Sequence, residues 1–286
     1  MRKFLRWLGY GLAALLAVFL IFAAWVWIVS AREIGRTYSG VGERIVPPAA
    51  GQAAEGQRRM RILGCFGCHQ ANLQGQLFLD EPGVARIWAP NLTEVASRAT
   101  DQQLAQAIRQ GIGVDGRGLW IMPSPMYSHL TDAELGLVIA GIRALPRGGA
   151  RSPAISVGPL GRLGIATGKF TSAPSEIEDY RIRAPFDLGP AHHAGRYIAA
   201  TACTECHGPD LTGGGEIEGQ VPPDLAIAGA YSAEQFRTLI RSGRPPSGRD
   251  LGLMGEVARN RYAQLTDAEV DALHAYLAAR AERVSR

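Results

Sequence analysis

Cysteine and lysine are both scarce in this 286-residue chain. Four cysteines are too few for a small scaffold held together by disulfides. The two lysines, Lys3 and Lys169, leave arginine as the main basic residue, and without a basic stripe nothing favours a nucleic-acid partner. Three of the 30 basic residues precede residue 7, and the other 27 almost balance 26 acidic residues. Because 47% of the residues are apolar, the chain can bury a sizeable core, which excludes wholesale disorder.

Charged side chains are absent from residues 7–30, directly after three basic residues. As a helix this run of 24 residues would be about 36 Å long, enough to cross a hydrocarbon core of about 30 Å. The basic residues favour a cytoplasmic N-terminus, which puts residues 31–286 on the outer side of the membrane. The alternative is a signal peptide cleaved near Ser30, but its apolar region would be only about 7–15 residues long. We therefore expect residues 1–31 to be a basic tip and a single-pass anchor, followed by a spacer at 32–50.

All four cysteines lie in two Cys-x-x-Cys-His motifs, at 65–69 and 203–207. Two thiols at this spacing can add to the vinyl groups of a haem, and the adjacent histidine, His69 or His207, then reaches the iron. Three other interpretations of the motifs are possible. A zinc site shared by the four cysteines would leave both histidines without a role, and a thioredoxin-like redox pair expects a βαβ context that is not visible. A structural disulfide is the third alternative. The paired motifs therefore predict two covalently bound haem c groups. The thiols that would attach them are Cys65, Cys68, Cys203 and Cys206.

The two motifs belong to an internal repeat that extends far beyond them. Residues 89–92 (Ala-Pro-Asn-Leu) match 222–225 (Pro-Pro-Asp-Leu). Each copy continues with a short amphipathic helix that has a hydroxyl N-cap, a glutamine three residues later and a glycine at its end. A second capping box, at 131–134 and 266–269 (both Thr-Asp-Ala-Glu), opens an apolar-periodic helix in each copy. No strand-like alternation of useful length appears.

The repeat predicts an all-α protein in which the transmembrane helix precedes two copies of one small helical domain. The copies occupy residues 51–145 and 191–286. Residues 146–190 between them contain six prolines and seven glycines, a composition typical of a linker. Their apolar side chains indicate that this linker packs on a domain.

Methionine is scarce as well, which narrows the choice of a second iron ligand. In the second copy, Met254 is the sole methionine after His207. In the first copy Met122 and Met126 compete. Met122 and Met254 both follow the helix-ending glycine by 11 residues, and both close a Gly-Arg-x-Leu-x-x-Met string. The repeat therefore predicts Met122 and Met254 as ligands, and Met126 as a packing or surface residue.

With these ligands the two copies resemble class I c-type cytochrome domains. The whole chain resembles the membrane-anchored dihaem cytochromes of bacterial respiratory chains. In that family a proline carbonyl contacts the second nitrogen of the ligand histidine, and Pro90 and Pro223 match that position. Arg117 and Arg249 each stand five residues before a predicted methionine ligand, where a guanidinium could bind a haem propionate.

The family also packs a glycine of the first helix against an aromatic residue of the last. Gly195 and Tyr276 match this pair in the second copy. The first copy departs from it, because Gly56 stands nine rather than eight residues before the first cysteine and Gly141 occupies the aromatic position.

The resemblance implies an electron carrier without catalytic residues of its own. Histidine and methionine would fill both axial positions of each iron, and a thioether ligand raises the reduction potential. The expected redox partners are a dehydrogenase, a quinol-linked complex or a terminal oxidase. The alternative is a dihaem oxidoreductase, such as a peroxidase or a sulfur-compound dehydrogenase, with one reactive haem. A methionine candidate in each copy argues against that alternative.

Overall fold

The computed structural model describes residues 1–217 and 219–285, most of which are helical. The first helix, α1, spans Arg2–Ile34 and is long and apolar enough to cross a membrane, by length and composition. Most of its side chains are exposed, as a lipid-facing helix requires. Val26 and Ser30 near its C-terminal end are buried.

The first domain combines six helices with a β-hairpin. These are α2 (Ala53–Ile62), α3 (Cys65–His69), β1 (Gln76–Glu81), β2 (Ala85–Ala89), α4 (Leu92–Arg98), α5 (Asp101–Gln110), α6 (Ser124–Tyr127) and α7 (Asp132–Arg143). Helices α2 and α7 cross where Gly56 meets Gly141, since a Cβ on Gly56 would lie 2.0 Å from the Leu137 carbonyl oxygen. A Cβ on Gly141 would lie 2.8 Å from Sδ of Met60, so Met60 packs against Gly141, the position at which the family has an aromatic residue. The helix crossing is therefore present despite the departures from the family pattern.

The predicted all-α class is confirmed, since most of the described residues are helical, but the structure adds a small sheet that the sequence did not indicate. Strands β1 and β2 pair antiparallel, and a bulge interrupts their register between Leu77 and Leu79. The bulge places consecutive apolar residues in one strand, which removes the period-two pattern that identifies strands in a sequence.

The segment 146–190 packs on the rest of the protein. It contributes β3 (Ser156–Val157), which pairs antiparallel with β2, and the helices α8 (Pro159–Ala166) and α9 (Ile177–Ile182). Helix α8 packs against α1, and α9 packs against α6. Arg162 donates a hydrogen bond of 3.0 Å to Oγ of Ser30, and its guanidinium lies 3.9 Å from the centre of the Trp27 ring. The linker therefore joins the first domain to the end of α1.

The second domain repeats the helical part of the first. Its elements are α10 (His193–Ala202), α11 (Thr204–His207), a 3-10 helix (Leu225–Ala230), α12 (Ala233–Ser242), α13 (Leu253–Asn260), a 3-10 helix (Tyr262–Gln264) and α14 (Asp267–Val284). Helices α10 and α14 cross at Gly195, where a Cβ would lie 2.0 Å from the Ala272 carbonyl oxygen and 2.6 Å from Cβ of Tyr276. Each domain therefore has one close helix crossing at a glycine.

Ion pairs and an apolar contact hold the two domains together. Arg58 donates to Glu269 at 2.9 Å, and Nη1 of Arg59 lies 2.8 Å from the same carboxylate. Ile62 at the end of α2 is part of the hydrophobic cluster of the second domain. The Cys-x-x-Cys-His motifs of the two domains are thus parts of one packed unit.

The capping boxes of α5, α12 and α14 form as predicted. At α7 only one of the two predicted capping hydrogen bonds forms. The Thr131 side chain accepts from the Glu134 amide at 3.2 Å. The Glu134 carboxylate, however, accepts from the Tyr197 hydroxyl at 2.5 Å, and that hydroxyl accepts from the Thr131 amide at 3.2 Å. A tyrosine of the second domain therefore replaces the reciprocal half of the cap.

Candidate functional site

The first candidate site consists of residues 65–69, Pro90 and Met122. Helix α3 follows Gly64, whose φ of 82° is left-handed, and carries both thiols and the imidazole on one short turn. His69 is only 4% exposed, and its Nδ1 lies 2.8 Å from the Pro90 carbonyl oxygen. Burial lowers the pKa of His69, against the raising effect of that carbonyl.

The second candidate site consists of residues 203–207, Pro223 and Met254. His207 is 7% exposed, and its Nδ1 lies 2.8 Å from the Pro223 carbonyl oxygen. Burial again lowers the pKa of His207, and the Pro223 carbonyl again opposes it. The two sites therefore hold their imidazoles in the same way.

The loop after each histidine also has the same backbone conformation. The amide six residues after the histidine donates back to the histidine carbonyl, at 3.0 Å from Gly75 and 2.9 Å from Gly213. A fully buried leucine between them, Leu73 or Leu211, has φ of 56° or 65°, a left-handed conformation that costs a non-glycine residue free energy. Because both domains have this strained conformation at matching positions, the surrounding site constrains the loop in each of them.

The proline contacts determine which nitrogen of each histidine can bind a metal. A carbonyl oxygen only accepts hydrogen bonds, so Nδ1 must carry the proton and donate it. Nε2 then keeps its lone pair and is free to be an iron ligand. This tautomer is the one that a proximal histidine requires.

The donor set of both sites fits haem c better than the alternatives. All four cysteine thiols are free, against a structural disulfide. Within residues 1–217 and 219–285 there is no group of three or more His, Cys, Asp or Glu side chains that could hold a metal ion. Paired thiols beside one buried imidazole match thioether attachment with a single protein nitrogen ligand.

The two methionine candidates of the first domain differ in burial. Met126 is 1% exposed and lies inside the first hydrophobic core, whereas Met122 is half-buried at its edge. Ile121, directly before Met122, has a left-handed φ of 66°. Met254 is likewise half-buried at the edge of the second core, in the first turn of α13.

Arg117 and Arg249 are the predicted partners of the haem propionates. Both are exposed, and Nε of Arg117 is 4.0 Å from a carboxylate oxygen of Asp115. Their role as propionate partners stays a prediction.

Two tyrosines that the sequence analysis missed support the attachment segments. The Tyr127 hydroxyl donates to the Leu63 carbonyl at 2.6 Å, and the Tyr262 hydroxyl donates to the Ala202 carbonyl. Each accepting carbonyl belongs to the last residues before a first cysteine. The sequence repeat could have identified these tyrosines, because each stands four residues before the threonine that caps the last helix of its domain.

Known proteins similar to this chain are cytochrome subunits. Over 252 residues the chain is 27% identical to the alcohol dehydrogenase (quinone) cytochrome c subunit of Gluconacetobacter polyoxogenes, covering 76% of this chain and 53% of that protein. The subunit of the same name from Komagataeibacter europaeus gives the same values. Over 248 residues the chain is 23% identical to the fructose dehydrogenase cytochrome subunit of Gluconobacter japonicus, covering 74% and 49% respectively. The chain thus spans about half the length of these relatives.

The cytochrome c family model matches the chain twice, at residues 53–146 and 193–280. Each match contains one candidate site, with its thiols, its histidine, its proline carbonyl and its predicted methionine ligand. The two matches together cover more than half of the sequence. The chain belongs to the cytochrome c family.

Proposed function

We propose that the protein is a membrane-anchored dihaem electron carrier and the cytochrome subunit of a dehydrogenase complex. The observation that carries the proposal is the duplicated site, in which a buried histidine beside paired thiols donates from Nδ1 to a proline carbonyl at 2.8 Å. Two cytochrome c domains imply two covalently bound haem c groups. When bound, the haem iron exchanges single electrons between Fe(III) and Fe(II).

In this proposal each domain supplies the complete ligand set of its own iron. Nε2 of His69 or His207 would bind the iron, and the hydrogen bond at Nδ1 would orient the imidazole for this. The thioether of Met122 or Met254 would supply the second protein ligand. The four thiols of the two motifs attach the haem groups, and Met126 fills the core of the first domain.

This ligand set would suit each site to electron transfer rather than to substrate binding. An iron held by histidine and methionine would have no open position, and a thioether ligand would favour Fe(II) over Fe(III). The buried apolar cluster of each domain would act in the same direction, because it would destabilise the extra positive charge of Fe(III). A dihaem peroxidase or sulfur-compound dehydrogenase would need a reactive iron, which this ligand set does not favour.

The proposed location is the bacterial inner membrane, with the N-terminus in the cytoplasm and both haem domains in the periplasm. Helix α1 fits the anchor, and the basic residues before it favour this orientation. The contacts of Arg162 with Ser30 and Trp27 support an uncleaved helix, because cleavage near Ser30 would remove the surface on which α8 packs.

The proposed electron donor is a dehydrogenase, because the relatives named above are cytochrome subunits of dehydrogenases. A quinol-linked complex or a terminal oxidase would accept the electrons. Purification of the tagged chain from detergent-solubilised membranes tests this. We expect a dehydrogenase subunit to copurify and its substrate to reduce both haems. A chain that purifies without a dehydrogenase would contradict the proposed complex.

Substitution of the methionines tests the ligand assignment. Met122→Ala and Met254→Ala should each remove the far-red charge-transfer absorption of methionine bound to Fe(III) from one haem, and each should let cyanide or CO bind there rapidly. Met126→Ala is the matched control, and it should keep the absorption of both haems. Loss of the absorption in Met126→Ala but not in Met122→Ala would overturn the assignment of the first site.

A further inference from the structure

One ion pair lies between the two haem-attachment segments. Arg261, at the start of the 3-10 helix Tyr262–Gln264, donates from Nη1 to Oε2 of Glu205 at 3.2 Å. Glu205 is one of the two residues between the cysteines of the second motif. The guanidinium also packs on the first motif, because a Cβ on Gly67 would lie 3.8 Å from its Nη2.

The first motif has a built place for this guanidinium. A Cβ on Gly64 would lie 2.4 Å from Cζ of Arg261 and 2.6 Å from Nη1, so any side chain at Gly64 would displace the arginine. Gly64 also has a φ of 82°, which only glycine adopts without strain. The first domain has one more residue than the second between its helix-crossing glycine and its first cysteine. The left-handed turn at Gly64 accommodates that extra residue and opens the space that Arg261 fills.

The pair is partly shielded from solvent, and both attachment segments lie within its electrostatic range. The side chains of Arg261 and Glu205 are 23% and 32% exposed. Although burial acts to lower it, the pKa of Arg261 is raised because Glu205 and two tyrosine hydroxyls lie close to the guanidinium. Glu205 lies within the second motif, and the Arg261 guanidinium lies against Gly64 and Gly67 at the first motif, so both attachment segments are close to the pair.

We propose that Arg261 and Glu205 are shared charges that set the reduction potentials of both haems. The inference rests on the proposed function, in which the haem groups are attached at these segments. Reduction of Fe(III) to Fe(II) removes one unit of positive charge, so a nearby cation favours the reduced form and a nearby anion the oxidised form. Because one pair faces both segments, a change in either charge shifts both potentials in the same direction.

Spectroelectrochemical titration of the full-length protein in detergent tests the proposal. Arg261→Gln should lower both midpoint potentials, with a change on the order of tenfold in the ratio of reduced to oxidised haem at a fixed potential. Glu205→Gln should raise both, and the double variant should lie between the single variants. Arg261→Lys, which keeps the charge, should stay near the wild type. Arg237→Gln, which removes an exposed ion pair with Asp271 in the same domain, is the matched control and should shift neither potential.

Two results would overturn the proposal. One is unchanged potentials in both Arg261→Gln and Glu205→Gln, and the other is a shift confined to one haem. Haem content per chain, measured with the same samples as the pyridine haemochrome, separates this failure from a failure of the proposed function. A wild-type chain without two covalent haems would contradict both, whereas two haems with unmoved potentials would contradict the role of the pair alone. If Arg261→Gln does not fold, Glu205→Gln gives the test independently.

Discussion

The two domains hold the residue that follows the equivalent prolines, Pro90 and Pro223, in different ways. In the first, the residue after Pro90 is Asn91, whose side-chain amide donates to the carbonyls of Gly148 at 2.7 Å and Ala150 at 3.1 Å. In the second, the corresponding residue is Asp224, which accepts from Nη1 of Arg280 at 2.6 Å. Asn91 is thus held by the linker, and Asp224 by the last helix of its own domain.

This difference shows that the first domain depends on residues outside the repeat. Its turn is completed by residues 148–150, and its hairpin by β3. The second domain supports the equivalent turn with its own last helix, and the guanidinium that does so is fully buried, since Arg280 is 0% exposed. Arg280 also donates to the Asp210 carbonyl at 3.1 Å, and such partners are needed because an unpaired buried charge is strongly unfavourable.

The largest expected effect follows from removal of the buried guanidinium. Arg280→Met should destabilise the second domain by about 2–4 kcal/mol, because it leaves a carboxylate and a carbonyl without their partner. Urea unfolding followed by haem absorbance measures this. Arg283→Met, at an exposed position of the same helix, is the control and should change stability by about 0.5 kcal/mol or less. Equal effects of the two variants would contradict the importance of the buried pair.

The next effect is expected in the first domain. Asn91 caps α4, accepting from the amides of Thr93 and Glu94 at 3.1 Å each, in addition to its bonds to the linker. Asn91→Ala should therefore cost about 1–3 kcal/mol in the same unfolding experiment. Asn91→Asp keeps the cap but cannot donate to the linker, so it should lie between Asn91→Ala and the wild type. A fully stable Asn91→Asp would show that the linker does not support this turn.

The smallest effect concerns the contact between the domains. Burial acts to raise the pKa of Glu269, but hydrogen bonds from Arg58 and Thr266 outweigh it and lower this pKa from 4.5 to about 2. Because the pKa is lowered in the folded state, the stabilisation is present above pH 4.5 and is lost as the pH falls from there towards 2. Glu269→Gln should cost about 1 kcal/mol at pH 7, since solvent screens part of the interaction. Unfolding between pH 7 and pH 3 should also show a weaker pH dependence, and an unchanged dependence would contradict the role of this carboxylate.

Most of the architecture follows from the sequence because the chain repeats it. Local signals such as glycine ends and hydroxyl caps predict the helices, and their recurrence at matching offsets predicts the two domains. The histidine motifs, with Pro90 and Pro223, place the sites because each contact lies within one repeat.

The features that the sequence does not predict depend on local irregularity or on contacts between residues far apart in the chain. The hairpin escapes detection because its bulge breaks the alternation of apolar residues. The carboxylate of Glu134 leaves its predicted capping box for Tyr197 of the other domain. In the sequence, Arg261 is an ordinary loop arginine and Arg280 an ordinary helix arginine. Only the packed structure shows that Arg261 lies between the two motifs and that Arg280 is fully buried.

The most direct test of two closed electron-transfer sites is the spin state of the oxidised protein as purified. Electron paramagnetic resonance and optical spectra should show two low-spin haems in every chain, each bound by a nitrogen and a sulfur ligand. A high-spin, five-coordinate haem in either domain would contradict the account.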